Sequence, residues 1–213
     1  MNRLPIQSMQ RKLLAQIQHE SGPNAAAAVR RAALRSPHAR PACDVFINHR
    51  GIDTKRTVVT LLYDQLARLR LRPFLDNKSM KPGDKLFDSI NRAIRQCKVG
   101  VAVFSPRYCE SYFCLHELAL MMESRKKVIP IFCDVKPSEL RVPPTVAGRQ
   151  GMLYSEEEMR RFSLALEQAK YTVGLDFDST KGNWSDVVTN ATDIVIDSLI
   201  EIENEKQMFI RRN

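Results

Sequence analysis

No stretch of this 213-residue chain approaches the roughly 18 consecutive apolar residues that cross a bilayer. The longest apolar run, residues 99–104, has the length of a strand, which excludes a membrane span. A strongly apolar leader with a cleavage site is missing too, which argues against secretion. The eight glycines are too scattered to build a phosphate cradle, and neither GxGxxG nor GxxxxGK followed by Ser or Thr occurs. The five cysteines (Cys43, Cys97, Cys109, Cys114 and Cys133) are odd in number and form no CxxC pair. That excludes a disulfide scaffold and fits reduced thiols in a cytosol-like compartment. His116-Glu117 has no second His four residues on, so it is not a zinc-hydrolase helix. Ser105 lacks both the glycines of a nucleophile elbow and an evident His partner. Neither metal nor triad chemistry is expected.

What remains is an ordinary globular composition, 44% hydrophobic and 27% charged, long enough to bury a core without staples. Its formal charge of +9 is unevenly spread. Residues 1–42 hold seven bases (Arg3, Arg11, Lys12, Arg30, Arg31, Arg35, Arg40) against Glu20, so most of the basicity belongs to this segment. Without a sustained hydrophobic period, it reads as a disordered tail with at most one weak helix. An Arg-rich, acid-poor N-terminus also has the composition of an organelle transit peptide, although only three Ser are present.

From Cys43 onward, strand and helix signals alternate. Strands are expected over 43–48 (CDVFIN), 72–75, 98–105 (KVGVAVFS), 127–133 (KVIPIFC, despite Pro130) and 171–177. Helices are expected over 54–69 behind an Asp53 or Thr54 cap, from Asp84 through Ile94, over 112–125, over 156–170 and over 184–206. Strands this apolar have no wet face, so the pattern gives an α/β domain with a doubly wound, five-stranded parallel sheet and helices on both faces. Such sheets bind ligands at the carboxyl ends of their strands, which directs attention to the loops 48–54, 76–84 and 105–117.

Within those loops Glu117 stands out. Residues 112–122 (YFCLHELALMM) make a helix apolar nearly all round, and a carboxylate buried there is costly unless paired or used. It is either a first-turn acid favoured by the helix dipole, one paired with Arg125 or Lys126, or a functional group. Arg50 follows a buried strand, and Lys78, Lys81 and Lys85 flank the second; together they can attract phosphates, or singly be solvated loop charges.

Residues 44–54 (DVFINHRGIDT) are similar to DVFxSFRGxDT, and 113–118 (FCLHEL) to WCLxEL. Residues 128–138 (VIPIFCDVKPS), with Arg141 following, are similar to VIPIFYDVxPSxVR, and FLD at 74–76 and PG at 82–83 lie in order between these blocks. From Cys43 to about residue 205 the chain thus resembles a plant-type Toll/interleukin-1 receptor (TIR) domain. The resemblance implies a flavodoxin-like fold over 43–206, with 207–213 as a short tail, in a TIR-only protein. It implies an NAD+ nucleosidase that releases nicotinamide and ADP-ribose or cyclic variants in plant immune and cell-death signalling, with Glu117 as catalytic residue. Arg50 and Gly51 would line the nucleotide pocket, Lys81 and Gly83 would belong to a mobile loop, and Phe113 would stack on nicotinamide. NAD+ is then substrate and no cofactor is implied.

Further implications are self-association through TIR–TIR contacts, other TIR proteins as partners, and a cytoplasmic location with the nucleus as alternative. Phe113 replaces the usual Trp, His49 the usual Phe, and Thr60-Leu61 a Ser-His pair of the self-association surface. The rival expectations are a non-catalytic adaptor and nucleic-acid-dependent synthesis of 2′,3′-cyclic nucleotides involving Cys114 and the basic tail.

Overall fold

A computed structural model describes residues 43–54, 57–75, 79, 85–144 and 153–212. The expectations for residues 1–42, Lys78, Lys81, Gly83 and Asp84 lie outside these described residues.

Five parallel strands line up in the order β2-β1-β3-β4-β5: β1 Val45–His49, β2 Pro73–Phe74, β3 Val99–Phe104, β4 Lys127–Cys133 and β5 Leu175–Phe177. All residues of β1 and β3 are buried, and all of β4 except Lys127. Side chains alternate between the two faces of a strand, so each strand feeds two cores. Val45, Ile47, Val101, Val103 and Ile131 pack against α1 (Val58–Arg68) and α5 (Trp184–Arg212). Phe46, Ala102, Phe104 and Phe132 pack on the other face against α2 (Leu86–Gln96), α3 (Tyr112–Glu123) and α4 (Glu156–Lys170). Pro130 is tolerated because β5 pairs with β4 only from Ile131 onward. Beside it a Cβ on Gly174 would stand 2.5 Å from the Pro130 carbonyl oxygen.

Several boundaries differ from expectation. The first helix is split into a single turn, Gly51–Thr54, and α1, which begins after Thr57 without a side-chain cap. Neither expected cap serves α1: Asp53 accepts from Ser105 Oγ at 2.7 Å, and Thr54 donates to the Arg50 carbonyl at 3.2 Å. The fifth strand is shorter than expected, Leu175–Phe177, and Tyr171 and Val173 before it are 87% and 96% exposed instead of buried in the sheet. At the C-terminus α5 continues to Arg212, past the expected end at residue 206.

The seat of α3 is well defined at both ends. Ser111 caps its start by accepting from the Cys114 amide, and Arg125 (φ 52°) closes it in a left-handed conformation. The amides of Arg125 and Lys126 there bond back to the carbonyls of Met122 and Met121, at 2.9 and 3.0 Å, as in a Schellman motif. Between these ends Leu115, Leu118 and Met121 are fully buried, and a Cβ at Gly100 of β3 would collide with Met121 Sδ. The helix is therefore pressed onto the strand, which fixes where its polar residues emerge.

Candidate active site

In the strand order β2-β1-β3-β4-β5 the connections reverse between β1 and β3, and sheets of this kind bind ligands in a crevice at the carboxyl ends of the strands at that point. Three segments meet there: the end of β1 (Asn48, His49, Arg50), the chain after β3 (Ser105, with a 3-10 turn at Tyr108–Glu110), and the first turns of α3. Their polar side chains form a connected network.

Asn48 is wholly buried. Its Nδ2 donates to Glu117 Oε2 at 2.8 Å and to the Cys114 carbonyl at 3.3 Å, and its Oδ1 accepts from the Tyr108 hydroxyl. The flipped amide would turn its oxygen toward a carboxylate and a carbonyl oxygen, so the network fixes this orientation. Tyr108 is also 3.1 Å from the Cys114 carbonyl. Burial, with the nearby charge of Glu117 adding to it, holds the Tyr108 hydroxyl well above its usual pKa, so it stays a donor. The Cys114 thiol donates to the His49 carbonyl at 3.3 Å, and burial, followed by the charge of Glu117, pushes it up to about 12. It is a neutral thiol here, not a thiolate.

Glu117 itself is half-buried, one turn along α3 from Phe113, which is 42% exposed. Phe113 stacks on Phe87 of α2, ring centroids 5.2 Å apart, and His116 meets the edge of Phe87 at 5.9 Å. An aromatic face thus stands beside the carboxylate. Of the two expected structural partners, Lys126 donates instead to the carbonyls of Arg95 and Cys97 at 2.7 and 2.8 Å, and Arg125 terminates the helix.

Arg50 reaches Glu110 at 3.2 Å and lies 4.0 Å from Asp53, while its buried Nε has no hydrogen-bond partner among the described residues. Gly51, exposed, starts the helical turn beside it. Arg50, Gly51, Phe113 and Glu117 thus all stand on the segments that meet at the crevice, whereas Lys81 lies outside the described residues. Asn48, Asp53, Ser105 and Tyr108 lie in the loops 48–54 and 105–117 that the sequence pointed to but were given no role at the site, and Phe87 lies outside those loops; an amide inside a buried apolar strand was a further signal for Asn48. Two cavities lined by described residues lie elsewhere, one of 280 Å³ between α3 and α4 beside Glu123 and Arg161, and one of 520 Å³ along α2. Among the described residues no group of three His, Cys, Asp or Glu could hold a metal ion, and no helix is long and apolar enough to cross a membrane.

Comparison with known proteins agrees with this architecture. The TIR domain family matches residues 42–198. The chain is 52% identical over 160 residues to a protein of Brachypodium distachyon named "Probable 2' cyclic ADP-D-ribose synthase BdTIR", covering 75% of this chain and 70% of that one. It is 36% identical over 113 residues to the TMV resistance protein N of Nicotiana glutinosa, covering 51% of this chain but only 10% of that much longer protein. Among solved structures it resembles the TIR domains of the activated Roq1 resistosome, which recognises the pathogen effector XopQ. There the TM-score is 0.61 at 27% identity, covering 72% of this chain and 99% of that one. A five-stranded parallel sheet in flavodoxin-like order, carrying these motifs at its carboxyl edge, makes this chain a member of the TIR domain family.

Proposed function

We propose that this chain is an NAD+ nucleosidase of plant immune signalling, with Glu117 as its catalytic carboxylate. The observation that carries this reading is a carboxylate anchored by Asn48 at the switch-point crevice, next to the half-exposed Phe113–Phe87 face. The relative named as a probable cyclic ADP-D-ribose synthase supports the same chemistry.

The reaction suits a single carboxylate. Glycosidases that expel an oxygen leaving group use an acid to protonate it plus a second carboxylate. Nicotinamide leaves from a pyridinium, so as the ribose C1′–N bond breaks its electron pair neutralises the departing nitrogen and no proton is needed. The ribose is left with developing oxocarbenium charge, which the Glu117 anion stabilises. Phe113 and Phe87 offer a flat apolar face on which the nicotinamide ring can stack. Capture of the cation by water, which then loses a proton, gives ADP-ribose; capture by another nucleophile of the same molecule gives a cyclic product. Cys114, neutral and buried, acts as no nucleophile in this scheme.

The TIR domains of the Roq1 resistosome belong to an assembly, and we propose that this chain likewise works self-associated. Leu61, at the position of the family's association pair, is 47% exposed on α1 and so accessible to a second copy. Incubating concentrated protein with NAD+ and following the products by mass spectrometry tests the reading. Release of nicotinamide with ADP-ribose or an isomer is expected, and intact NAD+ would instead leave an adaptor.

A further inference from the structure

The Glu117 carboxylate is held by a side chain whose two amide protons and carbonyl oxygen are all engaged. One Nδ2 proton of Asn48 goes to Glu117 Oε2 at 2.8 Å and the other to the Cys114 carbonyl at 3.3 Å, while Oδ1 takes the Tyr108 proton. Asn48 has no exposed surface, and Tyr108 is also fully buried. Parallel pairing of β1 with β3 clamps the backbone of Asn48 opposite Ala102. Three elements distant in the chain therefore meet at one side-chain amide: β1 supplies Asn48, the post-β3 turn supplies Tyr108 to its oxygen, and α3 supplies Glu117 and the Cys114 carbonyl to its nitrogen.

A buried amide in an apolar strand is costly unless fully satisfied, and here its satisfaction depends on Glu117. A Glu side chain has three rotatable bonds, and an error of about 1 Å in a reacting group costs on the order of 100-fold in rate. We infer that Asn48, oriented by Tyr108, is the positioning residue that fixes the Glu117 carboxylate in its working rotamer. This rests on the proposed role of Glu117. The family pattern DVFxSFRGxDT carries Ser at this position, whose hydroxyl can also donate, though over a shorter reach. The requirement is therefore for a donor at this site, and not for an amide as such.

The test compares Asn48→Asp, Asn48→Ser and Tyr108→Phe in purified full-length protein, with Glu117→Gln as reference, each checked for folding by thermal melting. Asn48→Asp keeps the shape of the side chain and an acceptor for Tyr108 but sets a second carboxyl group against Glu117, where the two repel or share one proton, so the neutral amide donor is lost. It is expected to lower kcat for nicotinamide release roughly 100-fold while KM stays within about threefold, because misplacement acts on the transition state. Asn48→Ser, which restores a donor, should recover at least about tenfold of that loss, and Tyr108→Phe should cost a few-fold in kcat at unchanged KM. A purely structural role would not separate Asp from Ser in kcat at equal melting temperature. Wild-type kcat in folded Asn48→Asp, or in Tyr108→Phe should Asn48→Asp not fold, overturns the inference while leaving Glu117 in place. Wild-type turnover in Glu117→Gln would overturn the underlying assignment instead.

Discussion

The two ends of the sheet hold carboxylates in different ways. At the amino end Asp44 is gripped by Arg72, whose Nε and Nη2 donate to its two oxygens at 2.9 and 2.8 Å, with Lys98 at 4.0 Å. Burial works against ionisation of Asp44, but the Arg72 hydrogen bonds and charge outweigh it and keep its pKa below the usual value. Nearby, the Cys43 thiol is pushed far up by its hydrogen bond to Cys97 and by burial. At the carboxyl end the anchor of Glu117 is a neutral amide, and an aromatic face lies alongside. A bidentate ion pair consumes the charge it holds, whereas an amide orients a carboxylate without neutralising it. A carboxylate is thus gripped by a bidentate ion pair at one end of the strands and oriented by a buried amide at the other.

That contrast can be broken in three places. The largest expected effect outside Glu117 and its anchor is at the amino end. Asp44→Ala should destabilise the fold by about 1–3 kcal/mol, the worth of hydrogen bonds to a charged group that leave Arg72 unpaired, read by urea unfolding, with nicotinamide release per folded molecule unchanged. Lost activity at unchanged stability would erase the distinction between the two ends. The pH dependence has a definite sign: because the folded-state pKa of Asp44 is depressed, its contribution is fully present above the unfolded value near 3.8 and is lost as pH falls through the folded value. Asp44→Asn should flatten that acid limb in a melting series, and an unaltered limb would contradict the ion-pair account.

A smaller effect is expected at the carboxyl end. Phe113→Ala removes a stacking surface worth about 1–2 kcal/mol, so KM for NAD+ should rise about tenfold with little change in melting temperature, the ring being partly exposed. Smallest is the Arg161–Glu123 pair on α4 and α3, bidentate at 2.6 and 3.0 Å but on the surface. Arg161→Ala should cost under about 1 kcal/mol and leave activity alone.

How far the sequence reached follows the same division. β1, β3 and β4 were legible because strands covered on both faces are continuous apolar runs, and α3 because its apolar residues leave Glu117 as an anomaly. The polar network was not legible, since Asn48 meets Tyr108 and Glu117 from 60 and 69 residues away only through parallel strand register. The Phe87–Phe113 stack was hidden for the same reason, since it joins side chains of two helices 26 residues apart. Tyr171 and Val173 misled in the opposite direction: apolar in sequence, they lie exposed on the connection into β5 and form no strand.

Nicotinamide release by wild-type protein and by Glu117→Gln, measured at equal concentration with matched melting curves, addresses the account most directly. Turnover by the wild type and a loss of roughly 100-fold or more in the variant is the predicted result, on the scale of removing one preorganised electrostatic group. Equal turnover by two equally folded proteins would contradict it.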